Sequence, residues 1–172
     1  MKFFSGFGFQ NEQELFNDFL PKGEYVVAGF SYGAIKAFEY VLNNKNRIDR
    51  LILLSPAFFQ NTSDAFKRTQ MRYFNSNKDE YMKNFMDNVC LPNNHISLQK
   101  YIRDVEAKQL DELLSHKWEL EDIKNIIDKN VKIEVFFGEM DNIIDTKVAN
   151  DFFSKLTTTY FIKKAGHLLD VK

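Results

Sequence analysis

The stretch Tyr25-Val26-Val27-Ala28-Gly29-Phe30-Ser31-Tyr32-Gly33-Ala34-Ile35-Lys36-Ala37-Phe38-Glu39-Tyr40 decides the fold. Its first four residues are β-branched, aromatic or small and read as a buried strand. Its last seven repeat apolar side chains at helical spacing. Between them stands Gly29-Phe30-Ser31-Tyr32-Gly33, a G-x-S-x-G pattern joining strand to helix. A serine on such a sharp turn projects its hydroxyl, and larger residues in place of the glycines would collide with the adjoining strand and helix. With 7 glycines in 172 residues, chance would supply the pattern only about 0.01 times. Ser31 is therefore the candidate nucleophile.

Outward from this turn, strand-like runs recur at Phe3-Phe4, Leu51 to Leu54, Ile133 to Phe137 and Tyr160 to Ile162, making about five strands with Tyr25 to Ala28. Helical spacing marks Asn11 to Leu20, ended by Pro21, then Tyr32 to Asn43, and Thr146 to Leu156 with Asp145 as cap. The alternation predicts an α/β fold with a mainly parallel sheet. Residues 57–128 break the rhythm: they hold amphipathic stretches and no convincing strand. They read as a helical cap inserted into a single domain spanning 1–172. Within the cap, Leu98 to Asp128 mixes charges with Leu110, Leu113, Leu114, Trp118, Ile123 and Ile127 at roughly helical spacing.

A serine nucleophile needs a base and an acid, which on this strand-turn-helix plan follow it in the order acid, then histidine, each on a loop after a strand. Asp141, in Gly138-Glu139-Met140-Asp141, has that address. Glu139 and Asp145 compete with it, the first nearer the strand and the second better placed to cap a helix, and Asp141 is the candidate acid. His167, in Ala165-Gly166-His167, follows the last strand and is the candidate general base. His95, in a polar loop, and His116, in the charged cap, lack a strand-end address and read as bystanders. Two backbone amides are expected to face the developing oxyanion: Tyr32, next to the nucleophile, and Phe7, in the loop Ser5-Gly6-Phe7-Gly8-Phe9.

The 23 basic and 24 acidic residues nearly cancel, so global charge gives no argument for nucleic acid. One cysteine, Cys90, makes neither an internal disulfide nor a CxxC metal site, and the reading includes no metal and no cofactor. The absence of a long apolar h-region or an 18-residue apolar run predicts a cytoplasmic protein with no membrane partner. Locally, Lys67, Arg68 and Arg72 form a basic cluster, with Arg68 and Arg72 four apart and on one face if helical. Phe58, Phe59, Phe66, Met71, Tyr73, Phe74, Tyr81, Met82, Phe85 and Met86 supply adaptable apolar groups suited to lining an acyl channel or to ordinary helix packing.

Together these residues resemble the α/β-hydrolase superfamily. Phe3-Phe4-Ser5-Gly6-Phe7-Gly8-Phe9 and Gly29-Phe30-Ser31-Tyr32-Gly33-Ala34-Ile35-Lys36 resemble one short branch, the pimeloyl-acyl-carrier-protein methyl ester esterases of biotin synthesis (BioV type). The likeness extends to Ala65-Phe66-Lys67-Arg68, Val131 to Phe136 and His167-Leu168-Leu169. It implies a minimal α/β-hydrolase fold with a helical lid, and hydrolysis of the methyl ester at the distal end of a pimeloyl chain held as a thioester on acyl carrier protein. The basic face at Lys67, Arg68 and Arg72 is then expected to meet that acidic carrier, with Phe74 near the chain. Ser5 stands where many larger hydrolases have histidine, a strand pair of the usual sheet is missing, and no final helix follows His167. One sheet face is thus expected to lack cover, part of it tolerating water at Lys132 and Glu134 and part open to homodimerisation. A hydrolase for another acyl ester or thioester, and a non-catalytic ligand-binding protein of the same fold, are the alternatives.

Overall fold

The computed structural model describes residues 1–93 and 96–170. Five parallel strands form one sheet in the order β1-β2-β3-β4-β5, with β1 at Lys2–Phe4, β2 at Val26–Phe30, β3 at Arg50–Leu54, β4 at Lys132–Gly138 and β5 at Thr158–Ile162. The central strands are apolar because both faces are covered: every residue of β2 is buried, as are Leu51 to Leu54. The helices are α1 (Tyr32–Asn43), α2 (Asp64–Ser76), α3 (Lys78–Cys90), α4 (Ala107–Ser115), α5 (Leu120–Ile127) and α6 (Thr146–Phe153).

One face of the sheet packs against α1, α5 and α6, where Phe38, Ile123, Ile126 and Phe153 meet Leu51, Leu53, Val135 and Phe137. Trp118, before α5, stacks edge-on against Phe38 and Phe153 and donates its indole N–H to the Ala57 carbonyl at 2.9 Å. That bond satisfies the polar atom of a large buried ring. The helices between β3 and α5, namely α2, α3 and α4, pack on one another above the carboxyl ends of the strands.

The other face is closed by shorter pieces. Phe9, Phe16, Leu98, Tyr101, Leu168 and Leu169 cover Val26, Ala28, Phe30, Ile52 and Leu54. The helix expected over Asn11 to Leu20 is here only a 3-10 turn, Glu12–Phe16. Asn11 is left-handed (φ 57°), and the Glu12 side chain turns back to the Gly6 amide, so the segment opens with a loop contact and not a helical turn. Farther along this face the water-tolerant position expected at Glu134 is not found: Glu134 is 3% exposed and bound by Arg50, Lys132 and Tyr160. Burial alone would raise its pKa, but the hydrogen bonds and charges of Arg50 and Lys132 outweigh that and hold the carboxyl below its usual range. No helix of the described residues is long and apolar enough to cross a membrane.

Candidate active site

The site lies where β2 ends. Ser31 adopts φ 53°, ψ −116°, a sparsely populated backbone for a residue with a side chain. Its surroundings enforce the turn: the Ser31 amide donates to the Leu54 carbonyl at 2.9 Å, and the Ser31 carbonyl accepts from Ala34 at 3.0 Å and Ala57 at 3.2 Å. A Cβ at Gly29 would overlap the Gly33 carbonyl, and one at Gly33 would overlap the Phe4 carbonyl. Both glycines are thus required by backbone approach, and β1, β2 and α1 are locked together at the serine.

The loops after β4 and β5 bring two further residues to it. His167 Nε2 lies 2.9 Å from Ser31 Oγ, and His167 Nδ1 lies 2.6 Å from Asp141 Oδ2. The other Asp141 oxygen, Oδ1, accepts from the Ile143 amide at 2.7 Å and the Ile144 amide at 3.3 Å. Ser55 Oγ donates to the His167 carbonyl at 2.7 Å, and the Phe30 ring packs 5.1 Å from the imidazole. The His167 and Asp141 side chains are fully buried and Ser31 is 1% exposed, so the charge-bearing groups are shielded from water. Of the competing acids, Glu139 is exposed, and Asp145 caps α6 by accepting from the Val148 amide at 3.2 Å.

The loop after β1 runs beside this turn, because Phe4 pairs with Gly29 and Gly6 packs on the Phe30 ring. Gly8 (φ 77°) reverses it, and segment 101–103 braces its outer side: Gln10 donates to the Tyr101 carbonyl at 2.7 Å and Arg103 to the Gly8 carbonyl at 2.9 Å. Neither the Phe7 nor the Tyr32 amide donates to a protein acceptor among the described residues. Tyr32 directly follows Ser31 at the start of α1, and Phe7 lies in the loop after β1, which runs beside β2. The Tyr32 hydroxyl donates to Glu112 of α4 at 2.5 Å, and Lys36 meets the same carboxylate at 2.9 Å. Burial, and then the bond to Glu112, push the phenol up to about 12.

A cavity of about 320 Å³ adjoins Phe7 and Ile143 and runs between α2, α3 and α4, walled by Phe59, Phe66, Tyr73, Tyr81 and Phe85, with Gln70, Asn84 and Asn88 at its polar parts. Of the other apolar groups in this region, Phe74 is buried between Tyr81 and Phe7 at ring distances of 5.4 and 6.3 Å. Phe58 packs into the core against Phe152 and Phe153. Met82 and Met86 press on Gly8. Lys67, Arg68 and Arg72 lie on α2 along a separate open groove of about 1130 Å³ that also holds Asp64 and Asp111. This groove is larger, but it is the smaller cavity whose wall includes Asn142 and Ile143, next in sequence to Asp141.

His116 ends α4, packed 4.7 Å from Trp118, and burial lowers its pKa. It has no contact with Ser31. His95 lies outside the described residues. Among those residues no group of three His, Cys, Asp or Glu is arranged to hold a metal. Glu12, buried against this loop, had no signal in the sequence, because its contact depends on how the chain folds back across six residues.

No family model matches the sequence, and no curated protein does. Solved structures are similar: the carboxylesterase CesB from Bacillus subtilis at 20% identity and TM-score 0.55, over 93% of this chain and 59% of that one. The naproxen esterase, carboxylesterase NP, from Bacillus subtilis is similar at 19% identity and TM-score 0.56, over 85% and 54%. MenH from S. aureus is similar at 11% identity and TM-score 0.57, over 98% and 87%. The architecture is a minimal α/β-hydrolase fold, with five parallel strands flanked by helices. The chain spans a little over half the length of the two Bacillus carboxylesterases.

Proposed function

We propose that this chain is a serine esterase. The observation that carries the reading is the buried relay from Asp141 through His167 to Ser31 at 2.6 and 2.9 Å. In this mechanism His167 takes the Ser31 proton as Oγ attacks the ester carbonyl, and Asp141 stabilises the imidazolium. The Phe7 and Tyr32 amides hold the oxyanion. His167 then returns the proton to the leaving alcohol, and water repeats the sequence on the acyl-enzyme.

The substrate we propose is the methyl ester of pimeloyl-acyl carrier protein, with methanol as product, in biotin synthesis in the cytoplasm. Support comes from the resemblance carried by the loop after β1 and the Gly29-to-Gly33 turn, and from an aromatic cavity lined by Phe7 and Ile143 and suited to an acyl chain. The exposed Arg68 and Arg72 suit an acidic carrier. The similar carboxylesterases favour ester chemistry in general.

Two measurements test this. A fluorophosphonate probe labels the wild type and not Ser31→Ala; no labelling of either leaves the non-catalytic binding protein as the better reading. Intact-mass analysis of methyl pimeloyl-acyl carrier protein then shows loss of the ester methyl with the wild type alone. An unchanged mass with a labelled serine refutes this substrate and leaves a hydrolase for another ester or thioester. Charge reversal at Arg68 and Arg72 raises KM for the carrier-bound ester and spares small esters; equal losses on both refute docking there.

A further inference from the structure

The loop that carries the Phe7 amide is held by a carboxyl with no part in the steps above. Glu12 is 0% exposed, its Oε1 accepts from the Gly6 amide at 2.7 Å, and its Oε2 is buried without a partner among the described residues. A buried acceptor left unpaired works against stability, so packing alone does not account for a glutamate here.

The geometry of the loop does account for it. The Gly6 carbonyl accepts from the Phe9 amide at 3.1 Å. In a trans peptide the C=O and the following N–H point in opposite directions, so fixing that carbonyl aims the Phe7 N–H the other way. The remaining freedom lies in the torsions of Gly6. This residue must be glycine, because a Cβ would stand 2.7 Å from the Phe30 ring, and glycine by itself leaves those torsions loose. Glu12 binds the amide on the other side of the same residue. Gly6 is thereby held on both sides, and the plane of the peptide that carries the Phe7 N–H is fixed with it.

We propose that Glu12 is a positioning residue for the oxyanion site, acting through Gly6 to aim the Phe7 amide. This rests on the serine-esterase reading above. The acceptor's position, and not its charge, is what aims the loop: Glu12→Gln keeps a carbonyl at the same reach, whereas Glu12→Asp keeps the charge and withdraws the acceptor by one methylene.

The test uses the full chain as wild type, Glu12→Gln, Glu12→Asp and Glu12→Ala, with active sites titrated by a fluorophosphonate. Three quantities are read per titrated site: kcat and KM for p-nitrophenyl butyrate, and Ki for a trifluoromethyl ketone whose serine adduct places an oxyanion in the same site. Asp and Ala are expected to lower kcat by about ten- to a hundredfold and raise the ketone Ki by a matching factor, with KM little changed. Gln is expected to stay within about threefold of wild type. A merely structural role lowers the melting temperature or the titratable fraction and leaves kcat and Ki per site unchanged; that result overturns the proposal. Equal losses in Gln and Asp overturn it as well. If Ala does not fold, the contrast between Gln and Asp decides. A wild type that neither hydrolyses the ester nor takes up the probe refutes the esterase reading itself, and is distinct from an active wild type whose variants match it.

Discussion

Replacing Asp141 by asparagine changes one atom and should nearly abolish turnover, for a reason that lies in the loop after β4. Oδ1 accepts from two backbone amides, Ile143 at 2.7 Å and Ile144 at 3.3 Å, while Oδ2 faces His167 Nδ1 at 2.6 Å, and the side chain is fully buried. An asparagine oxygen must occupy the Oδ1 place, because turning the amide would set its NH₂ against two N–H donors. Losing two hydrogen bonds of about 1 kcal/mol each disfavours that turn by at least about 2 kcal/mol. The NH₂ group therefore faces His167 and forces Nδ1 to accept. The imidazole proton then sits on Nε2, pointing at Ser31 Oγ, and the base is unable to take the serine proton. A locked wrong tautomer of this kind lowers kcat by about 10⁴, or about 5.5 kcal/mol of transition-state stabilisation. The assay is kcat on p-nitrophenyl butyrate per folded molecule, with circular dichroism and melting temperature showing that Asp141→Asn is folded. Retention of more than a tenth of wild-type kcat refutes the tautomer argument. So does an equal loss in Glu139→Gln or Asp145→Asn, which carry their carboxyls elsewhere.

Two further outcomes follow from the packing. Tyr32→Phe removes the hydroxyl bond to Glu112 but keeps the backbone N–H, so urea melts should show a loss of about 0.5 to 1.5 kcal/mol while kcat stays within about threefold; a tenfold fall would give the ring hydroxyl a chemical part. The folded pKa of Glu134 lies below its unfolded value, so its ionised form adds stability above about pH 4.3 that is lost as pH falls through the folded value. Glu134→Gln should accordingly be less stable by about 2 kcal/mol at pH 7, with the gap closing in acid, and a gap that widens toward low pH contradicts the assigned direction.

The serine turn at Gly29 to Gly33 was legible in the sequence because its constraints are local. Gly29 and Gly33 stand four apart, and a Cβ at either meets backbone within the same strand-turn-helix unit or the first strand beside it. The apolar runs placed the strands for a related reason: a parallel strand buried on both faces leaves a continuous apolar segment. Asn11 to Leu20 misled, since apolar spacing there reflects Phe16 reaching the sheet and not a helix, and the side chain that shortens it bonds to a residue outside the segment.

Alone, then, the sequence determined the alternation of strand and helix, the strained serine turn, and the order in which an acid and a histidine could follow it, because each is written in contacts between near neighbours or in burial pattern. Only the tertiary structure decided that Asp141, and not Glu139 or Asp145, lies against His167, since all three leave the same strand end and differ in where the loop to α6 turns them. It also decided that a buried Glu12 holds Gly6, and that Arg50, Lys132 and Tyr160 close the sheet over Glu134 where no helix lies. Those contacts join residues from separate elements, and their geometry exists only once the strands are side by side.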